Sequence, residues 1–487
     1  MIMKLSKLCE KLNILEITAN PDTEISGICY DSRKCSEGSL FVAIKGLSSD
    51  GNKFIPTAME AGASAVICQS RPETDVPYVL VDDCRKALAL LSCAFYSYPA
   101  DQMKIIGVTG TSGKTTSTNL IKHILETVTG DKVGLVGTNG NMIGDEFIHT
   151  EFTTPESLEL QELFRRMVDA GCKYAVMEVS SHSLIMERVA GIRFSTAAFT
   201  NLSQDHLDLH KTMDEYAAAK RLIFSVCDKA CINLDDNYSD FMMSEIKCPL
   251  IRTSIENSDA DIFAKDIRLS ADSVEFTAVK ENESADVMLA IPGLFSCHNA
   301  LTAISVCVSE GLGLQDCAQA LRSASGVKGR VETLETDGDY SIIIDYSHKP
   351  DPLEKVLQTL RGITRGRLIC LFGCGGDRDH EKRPIMGRIA ADNSDFVIVT
   401  SDNPRTEEPM DIINQIVVGL NDTKTPYDVI CDRIEAIHYA IDMAKDGDVI
   451  LLAGKGHEDY QVIGHTKIHM DEREIVADYL KERANKK

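Results

Sequence analysis

The stretch Ile105-Ile-Gly-Val-Thr-Gly-Thr-Ser-Gly-Lys-Thr-Thr116 constrains this chain more than any other. An apolar run stops at a glycine-rich turn. A lysine and two threonines follow, and Leu120, Ile124 and Val128 then recur one helical turn apart. The pattern predicts strand, phosphate loop and helix. Backbone N–H groups at such a loop and at a helix N-terminus favour phosphate oxygens. Lys114 can reach the outer phosphates of a nucleotide, and the Thr115 hydroxyl suits Mg²⁺. The spacing departs from the common pattern, because Val108 stands where the first glycine is expected. Gly110-Thr111-Ser112-Gly113-Lys114-Thr115-Thr116 is a shorter variant, and an ATP site is expected there.

A chain of 487 residues is long enough for about three domains. Its formal net charge of −23 argues against a general binder of nucleic acid or anionic membrane, whose affinity comes from clustered Lys and Arg. A small phosphorylated ligand in a local pocket is compatible with that charge. Residues 1–17 show no signal-peptide core, and no later stretch is apolar enough to span a bilayer, so a cytoplasmic protein is expected. Many of the 16 cysteines, among them Cys93, Cys297, Cys307 and Cys370, lie in apolar runs, and there is no CxxC pair. Reduced core thiols are expected rather than a disulfide framework or a metal cluster.

Residues 1–100 read as a small α/β unit closed by Tyr98-Pro99, with Asp31-Ser32-Arg33 after one short apolar run. Residues 101–328 begin with the phosphate loop and continue with apolar runs at 133–136, 174–179 and 197–200, separated by helical patterns. That alternation indicates βαβ units and a mainly parallel sheet. Ligands of such sheets sit beyond the carboxyl ends of the strands. Glu178, Ser180 and His182 end one run, and Asn201, Asp205 and His206 follow another. With the phosphate loop, they form three polar clusters on one sheet edge. Carboxylate and imidazole near phosphate suit Mg²⁺ or Mn²⁺. Residues 329–487 repeat the pattern: runs at 341–345, 367–372, 395–400 and 448–453 each lead into a glycine-rich or charged loop. Four such loops in succession predict a second functional face.

Taken in order, these motifs resemble the Mur ligases, most closely their MurE type. The resemblance rests on Asp31-Ser-Arg33 with Gly38-Ser-Leu-Phe-Val-Ala43, on the loop at 110–116, and on Thr153-Thr-Pro-Glu156 and Glu178-Val-Ser-Ser-His182. It continues through Thr200-Asn-Leu-Ser-Gln-Asp-His-Leu-Asp208, Gly329-Arg330 and Gly454-Lys-Gly-His-Glu-Asp-Tyr-Gln461. It implies an α/β fold of three domains: a small N-terminal α/β domain (1–100) binding UDP, a central P-loop-type parallel sheet (101–328), and a C-terminal Rossmann-like doubly wound sheet (329–487) binding an amino acid.

The resemblance also implies roles. Gly110, Thr111, Ser112, Gly113, Lys114, Thr115 and Thr116 would bind ATP, together with Asn299, Arg330, Asp345 and His348. Lys114, Glu178, His206 and Lys220 would be catalytic, with Thr115, Glu178, His206 and a carbamylated Lys220 serving Mg²⁺. Ser32, Thr153, Thr154, Ser180 and Arg188 would hold UDP-N-acetylmuramoyl-L-Ala-D-Glu. Arg378, Asp402, Asn403, Pro404, Arg405, Gly454 and Glu458 would hold meso-2,6-diaminopimelate, and a monomer is expected. Asp402-Asn-Pro-Arg405 is the loop form of diaminopimelate-adding members. Meso-diaminopimelate differs from lysine by one distal carboxylate, which a guanidinium pairs bidentately. The alternatives are a lysine-adding or other Mur or folylpolyglutamate-type ligase, and a nucleotide-binding regulator without catalysis. The loop at 402–405 argues against the first, and the retained Lys114, Glu178, His206 and Lys220 argue against the second.

Overall fold

Strands buried on both faces appear in sequence as continuous apolar runs, and the runs at 104–109, 133–136, 174–178 and 196–199 are parallel neighbours in one sheet. The computed structural model describes residues 2–46, 49–150, 152–270, 273–324 and 326–486; the side chain of Asp208, at the end of the Thr200-to-Asp208 motif, lies outside the described set. The chain forms two compact units, one of residues up to 253 with 302–312, the other of residues 254–301 with those from 313 onward.

In the first unit the strands Val133–Val136, Tyr174–Glu178, Lys104–Thr109, Thr196–Phe199 and Ala230–Asn233 lie in that order, all parallel. Glu178 is in register with Val108, and Phe199 with Thr109. The strand leading into the phosphate loop is therefore flanked by the two strands that deliver Glu178 and Asn201. The helix Lys114–Thr129 buries Leu120, Ile121, Ile124 and Leu125. It ends at Gly130, whose left-handed φ of 71° lets its N–H reach Glu126 O. A smaller sheet runs Ile14–Ile17, Tyr78–Val81, Ala65–Cys68, Ser39–Val42, Gly27–Cys29, parallel except at its first pair. Leu40, Val42 and Ile67 pack with Leu88 and Leu91 on one face, and Phe41, Val66 and Cys68 pack with Ile55 and Ala58 on the other.

The expectation of reduced thiols fails at one pair: Cys29 and Cys35 are joined in a disulfide. The turn through Asp31 and the short helix Ser32–Lys34 brings their Cα atoms to 5.9 Å, within disulfide reach. Nothing in a six-residue spacing announces that turn. The remaining cysteines are thiols, most of them buried.

In the second unit, a six-stranded sheet runs Glu332–Leu334, Ser341–Asp345, Val449–Ala453, Leu368–Phe372, Phe396–Val399, Tyr427–Val429, parallel except at its first pair. Alternate residues of each strand face opposite sides. Ile343, Cys370, Phe372, Val397 and Leu451 meet the helices Pro350–Ile363, Lys382–Asn393 and Pro409–Val418. Ile344, Ile369, Leu371, Ile398 and Ile450 meet Arg433–Met443 and Glu472–Lys486. The sheet is thus doubly wound, and the α/β expectation holds. One part was not legible: Ile262–Leu269, Val274–Lys280 and Glu283–Leu289 form an antiparallel meander. Only alternate side chains there, such as Val274, Phe276 and Ala278, are buried, so no continuous apolar run marks the strands. No described helix is long and apolar enough to cross a membrane.

Candidate active site

The phosphate loop is tied down by the neighbouring strand end. Thr111 N–H donates to Asn201 O (2.8 Å), Ser112 N–H to Asn201 Oδ1 (3.0 Å), and the Thr200 hydroxyl to Ser112 O (2.7 Å). Gly110 has φ +149°, and a Cβ there would lie 1.9 Å from Thr200 Oγ1, so any side chain would displace the loop. Lys114 Nζ folds back to donate to Gly110 O and Thr111 O, both at 2.9 Å. Lys220, 1% exposed, comes from the helix Met213–Arg221 and donates to the same Gly110 O at 2.7 Å. Two lysines far apart in sequence thus converge on one loop carbonyl. The Thr115 hydroxyl side chain is buried in the first turn of the loop's helix.

Glu178 is 1% exposed. Its Oε1 accepts from Thr138 N (2.8 Å) and its Oε2 from the Thr138 hydroxyl (3.0 Å). Thr138 Oγ1 lies 3.0 Å from Thr153 Oγ1, and the Thr154 hydroxyl donates to Glu178 O at 2.9 Å. Ser180 N–H donates to Thr154 Oγ1 (3.2 Å), and Arg188 reaches Thr154 O (3.0 Å). Thr153, Thr154, Glu178, Ser180 and Arg188 therefore form one connected network, with Thr138 as the member that sequence reasoning missed. Its only signal was its place just after the strand Val133–Val136. A Cβ at Gly137 would lie 2.5 Å from Glu178 Oε1, so glycine there leaves the carboxylate its room. His206 takes a left-handed backbone (φ +52°), with Nε2 3.2 Å from Asp205 Oδ2 and its ring 4.9 Å from that of His182. Among the described residues no group of three or more His, Cys, Asp or Glu is arranged to hold a metal. Ser32 lies in the smaller sheet's turn and shares no described hydrogen bond with this network. Beside it, Arg33 bonds to Asp31 and holds that carboxyl down at about 2.

In the second unit the loops after four parallel strands meet. Asp402 Oδ1 accepts from Asn403 N (2.7 Å), Asn403 Nδ2 donates to Glu458 Oε2 (2.9 Å), and Lys455 Nζ donates to Asn403 Oδ1 (3.2 Å). Burial pushes the Asp402 carboxyl up, but Lys455 and Arg433 outweigh it and leave Asp402 below the usual carboxylate range. Arg405, at φ +51°, donates from Nη1 to Gly376 O (2.7 Å). A Cβ at Gly376 would lie 1.9 Å from Pro404 O, so only glycine allows the two loops this approach. The fully buried Arg383 makes two 2.8 Å bonds to Glu407 and one of 3.2 Å to Gly375 O, bracing both loops from behind. Arg378 is exposed and donates to Asp377 O (3.2 Å). Asp345 bonds Val331 N (2.9 Å) and Ser347, and burial holds its carboxyl above the usual range. The Arg330 guanidinium lies 4.8 Å over the Tyr346 ring, and His348 Nδ1 lies 2.8 Å from Tyr346 O. Asn299 is buried in the helix Leu294–Ser309.

Three family models match the chain in succession: Mur ligase family, catalytic domain, at 24–96; Mur ligase middle domain at 108–307; and Mur ligase, glutamate ligase domain, at 329–456. A protein of Clostridium tetani, UDP-N-acetylmuramoyl-L-alanyl-D-glutamate--2,6-diaminopimelate ligase, is 46% identical over 487 residues, covering 99% of this chain and 100% of that one. The chain belongs to the Mur ligase family. A Caldanaerobacter subterraneus protein of the same description is 49% identical over 471 residues, covering 96% of this chain and 97% of its own. A solved structure of a ligase so described matches with TM-score 0.73 and 31% identity, covering 99% of this chain and 100% of that one.

Proposed function

We propose that this Mur ligase joins meso-2,6-diaminopimelate to the D-glutamate of UDP-N-acetylmuramoyl-L-alanyl-D-glutamate, with ATP as the second substrate. The chain is an ATP-dependent ligase that forms a carbon–nitrogen bond in peptidoglycan precursor synthesis. Full-length identity to diaminopimelate ligases supports the reaction class. The observation that carries the amino-acid choice is Arg405, fixed at Gly376 O two residues from Asn403, which itself bonds Glu458. A guanidinium so placed favours the distal carboxylate that lysine lacks.

The D-glutamate γ-carboxylate attacks the γ-phosphorus of ATP, giving an acyl phosphate and ADP. The amine of diaminopimelate then attacks the acyl carbon, phosphate leaves, and an amide forms. Lys114 and the loop N–H groups at 110–116 hold the phosphates as charge builds on their oxygens. Thr153, Thr154, Ser180 and Arg188 position the dipeptide, and Ser32 meets the UDP moiety. Asn299, Arg330, Asp345 and His348 serve the nucleotide. Arg378, Asp402, Asn403, Pro404, Arg405, Gly454 and Glu458 take the diamino acid. We divide these tasks among domains at 1–100, 101–328 and 329–487, and read the chain as a monomer working in the cytoplasm, where its nucleotide substrates are.

Mg²⁺ fits the donors present. The Thr115 hydroxyl and the Glu178 carboxylate are hard oxygen ligands, Glu178 retains lone pairs beyond those facing Thr138, and His206 adds one imidazole. The ion, when bound, offsets phosphoryl charge. A carbamate on Lys220 would turn an amine into a further oxygen ligand. Lys220→Ala is expected to lower kcat by about 10³-fold, partly restored by formate or acetate. Unchanged activity without added acid would remove the carbamate from the account.

The direct test is wild-type protein with ATP, Mg²⁺, the UDP-dipeptide and either diamino acid. Phosphate release with diaminopimelate and a product heavier by one diaminopimelate residue are expected, with lysine about 100-fold slower. No release, or equal rates, would overturn the reading.

A further inference from the structure

Lys455 lies in none of the roles assigned so far, yet it is completely buried, a rare state for lysine. It follows the strand Val449–Ala453, and its Nζ donates to Glu458 Oε2 at 3.1 Å and to Asn403 Oδ1 at 3.2 Å. Asn403 Oδ1 also accepts from Val462 N (2.9 Å), so the lysine joins three segments: 402–403, 455–458 and 460–463. Beside it stands Asp402, 8% exposed, whose Oδ2 is buried and has no hydrogen-bond partner among the described residues. A Cβ on Gly454 would lie only 2.9 Å from that oxygen, so it faces the glycine turn of the same pocket.

From this geometry we infer that Lys455 is the positioning residue of the diamino-acid pocket: it fixes Glu458 and Asn403 and balances one of the two carboxylates, Asp402 and Glu458. The inference rests on reading this pocket as the diamino-acid site. Arg433 beside Asp402 is neutralised by its own ion pair with Glu472, so Asp402 and Glu458 with Lys455 leave one net negative charge, which matches one substrate ammonium. Arg405 nearby matches one substrate carboxylate. The pocket is thereby set for an amino-carboxylate end. Two of the three N–H groups of Lys455 are committed to protein oxygens, on Glu458 and Asn403, and it acts through those two residues. Without it, Asp402 keeps Arg433 as a neighbouring cation but Glu458 loses its ammonium partner, and the Glu458 and Asn403 rotamers lose their common anchor.

The test uses the full chain. Lys455→Met is expected to raise the KM for meso-diaminopimelate by about 30-fold or more. The KM values for ATP and the UDP-dipeptide should stay within about twofold. Lys455→Arg, which keeps the charge but changes its geometry, should recover part of the loss. Because Lys455 acts in part through Glu458, Lys455→Met combined with Glu458→Gln should lose less diaminopimelate affinity than the sum of the two single losses. Additive losses, or an unchanged KM in a folded Lys455→Met protein, would overturn the inference. If Lys455→Met fails to fold, the Arg variant and calorimetric titration of diaminopimelate against it decide the matter: wild-type affinity there counts against a geometric role. Should Arg405→Ala and Glu458→Gln leave diaminopimelate binding intact, the pocket assignment itself is wrong, a different failure from that of Lys455 alone.

Discussion

Lys114→Ala is expected to abolish ADP formation that depends on the UDP-dipeptide, a fall of about 10³-fold or more in kcat. In the structure the Lys114 ammonium is drawn over the loop by Gly110 O and Thr111 O, each at 2.9 Å. Phosphate oxygens are stronger acceptors than neutral carbonyls, since charge-assisted hydrogen bonds are about twice as strong as neutral ones. Lys114 is therefore poised to exchange carbonyl partners for phosphate. The loop keeps its shape without this side chain, because Asn201 and Thr200 hold it through separate bonds. The loss should thus fall on turnover, with thermal stability little changed. A single-turnover ADP assay alongside a melting curve checks both halves. Near-normal turnover would sink the nucleotide assignment at 110–116.

Arg405→Ala is expected to lower kcat/KM for meso-diaminopimelate by about 10³-fold, with the ATP KM unaltered. The backbone of Arg405 is left-handed, a conformation unfavourable to residues other than glycine, and it is held there from both sides: its N–H donates to Val462 O (3.0 Å), and its own O accepts from Gly464 N (2.7 Å). Such a conformation persists only where the surroundings enforce it, and here it aims the guanidinium across Gly376. Arg405→Lys keeps the charge but loses the planar fork, so an intermediate loss is expected. Ligation rates with diaminopimelate and lysine measure both variants. An Arg405→Ala protein that keeps its rate and its preference for diaminopimelate would end the assignment of this pocket.

Much of the fold could be read from the chain because its parallel strands are covered on both faces. Such strands leave unbroken apolar runs, and each run is followed by a loop at the edge where ligands bind. The run from Ile105 and those at 174–179, 341–345 and 448–453 were legible for that reason, as were the polar residues after them. The meander at 262–289 was not, since half of its side chains face water and its pattern is diluted by charge. Thr138 and Lys455 were hidden for another reason. A threonine after a strand and a lysine in a loop are ordinary, and only their distances to Glu178 and Glu458 single them out.

The sequence by itself determined the doubly covered parallel strands, the family and the set of chemical groups available, because apolar runs and motif spacing are local properties of the chain. Only the tertiary structure decided which strands are neighbours. The strand Lys104–Thr109 lies between Tyr174–Glu178 and Thr196–Phe199, and Val449–Ala453 inserts between Ser341–Asp345 and Leu368–Phe372. That order brings Lys220 to the phosphate loop across 110 residues and Asn403 to Glu458 across 55. Pairing between distant segments is settled by packing and hydrogen-bond partners summed over the whole sheet, and no local stretch of sequence carries that sum.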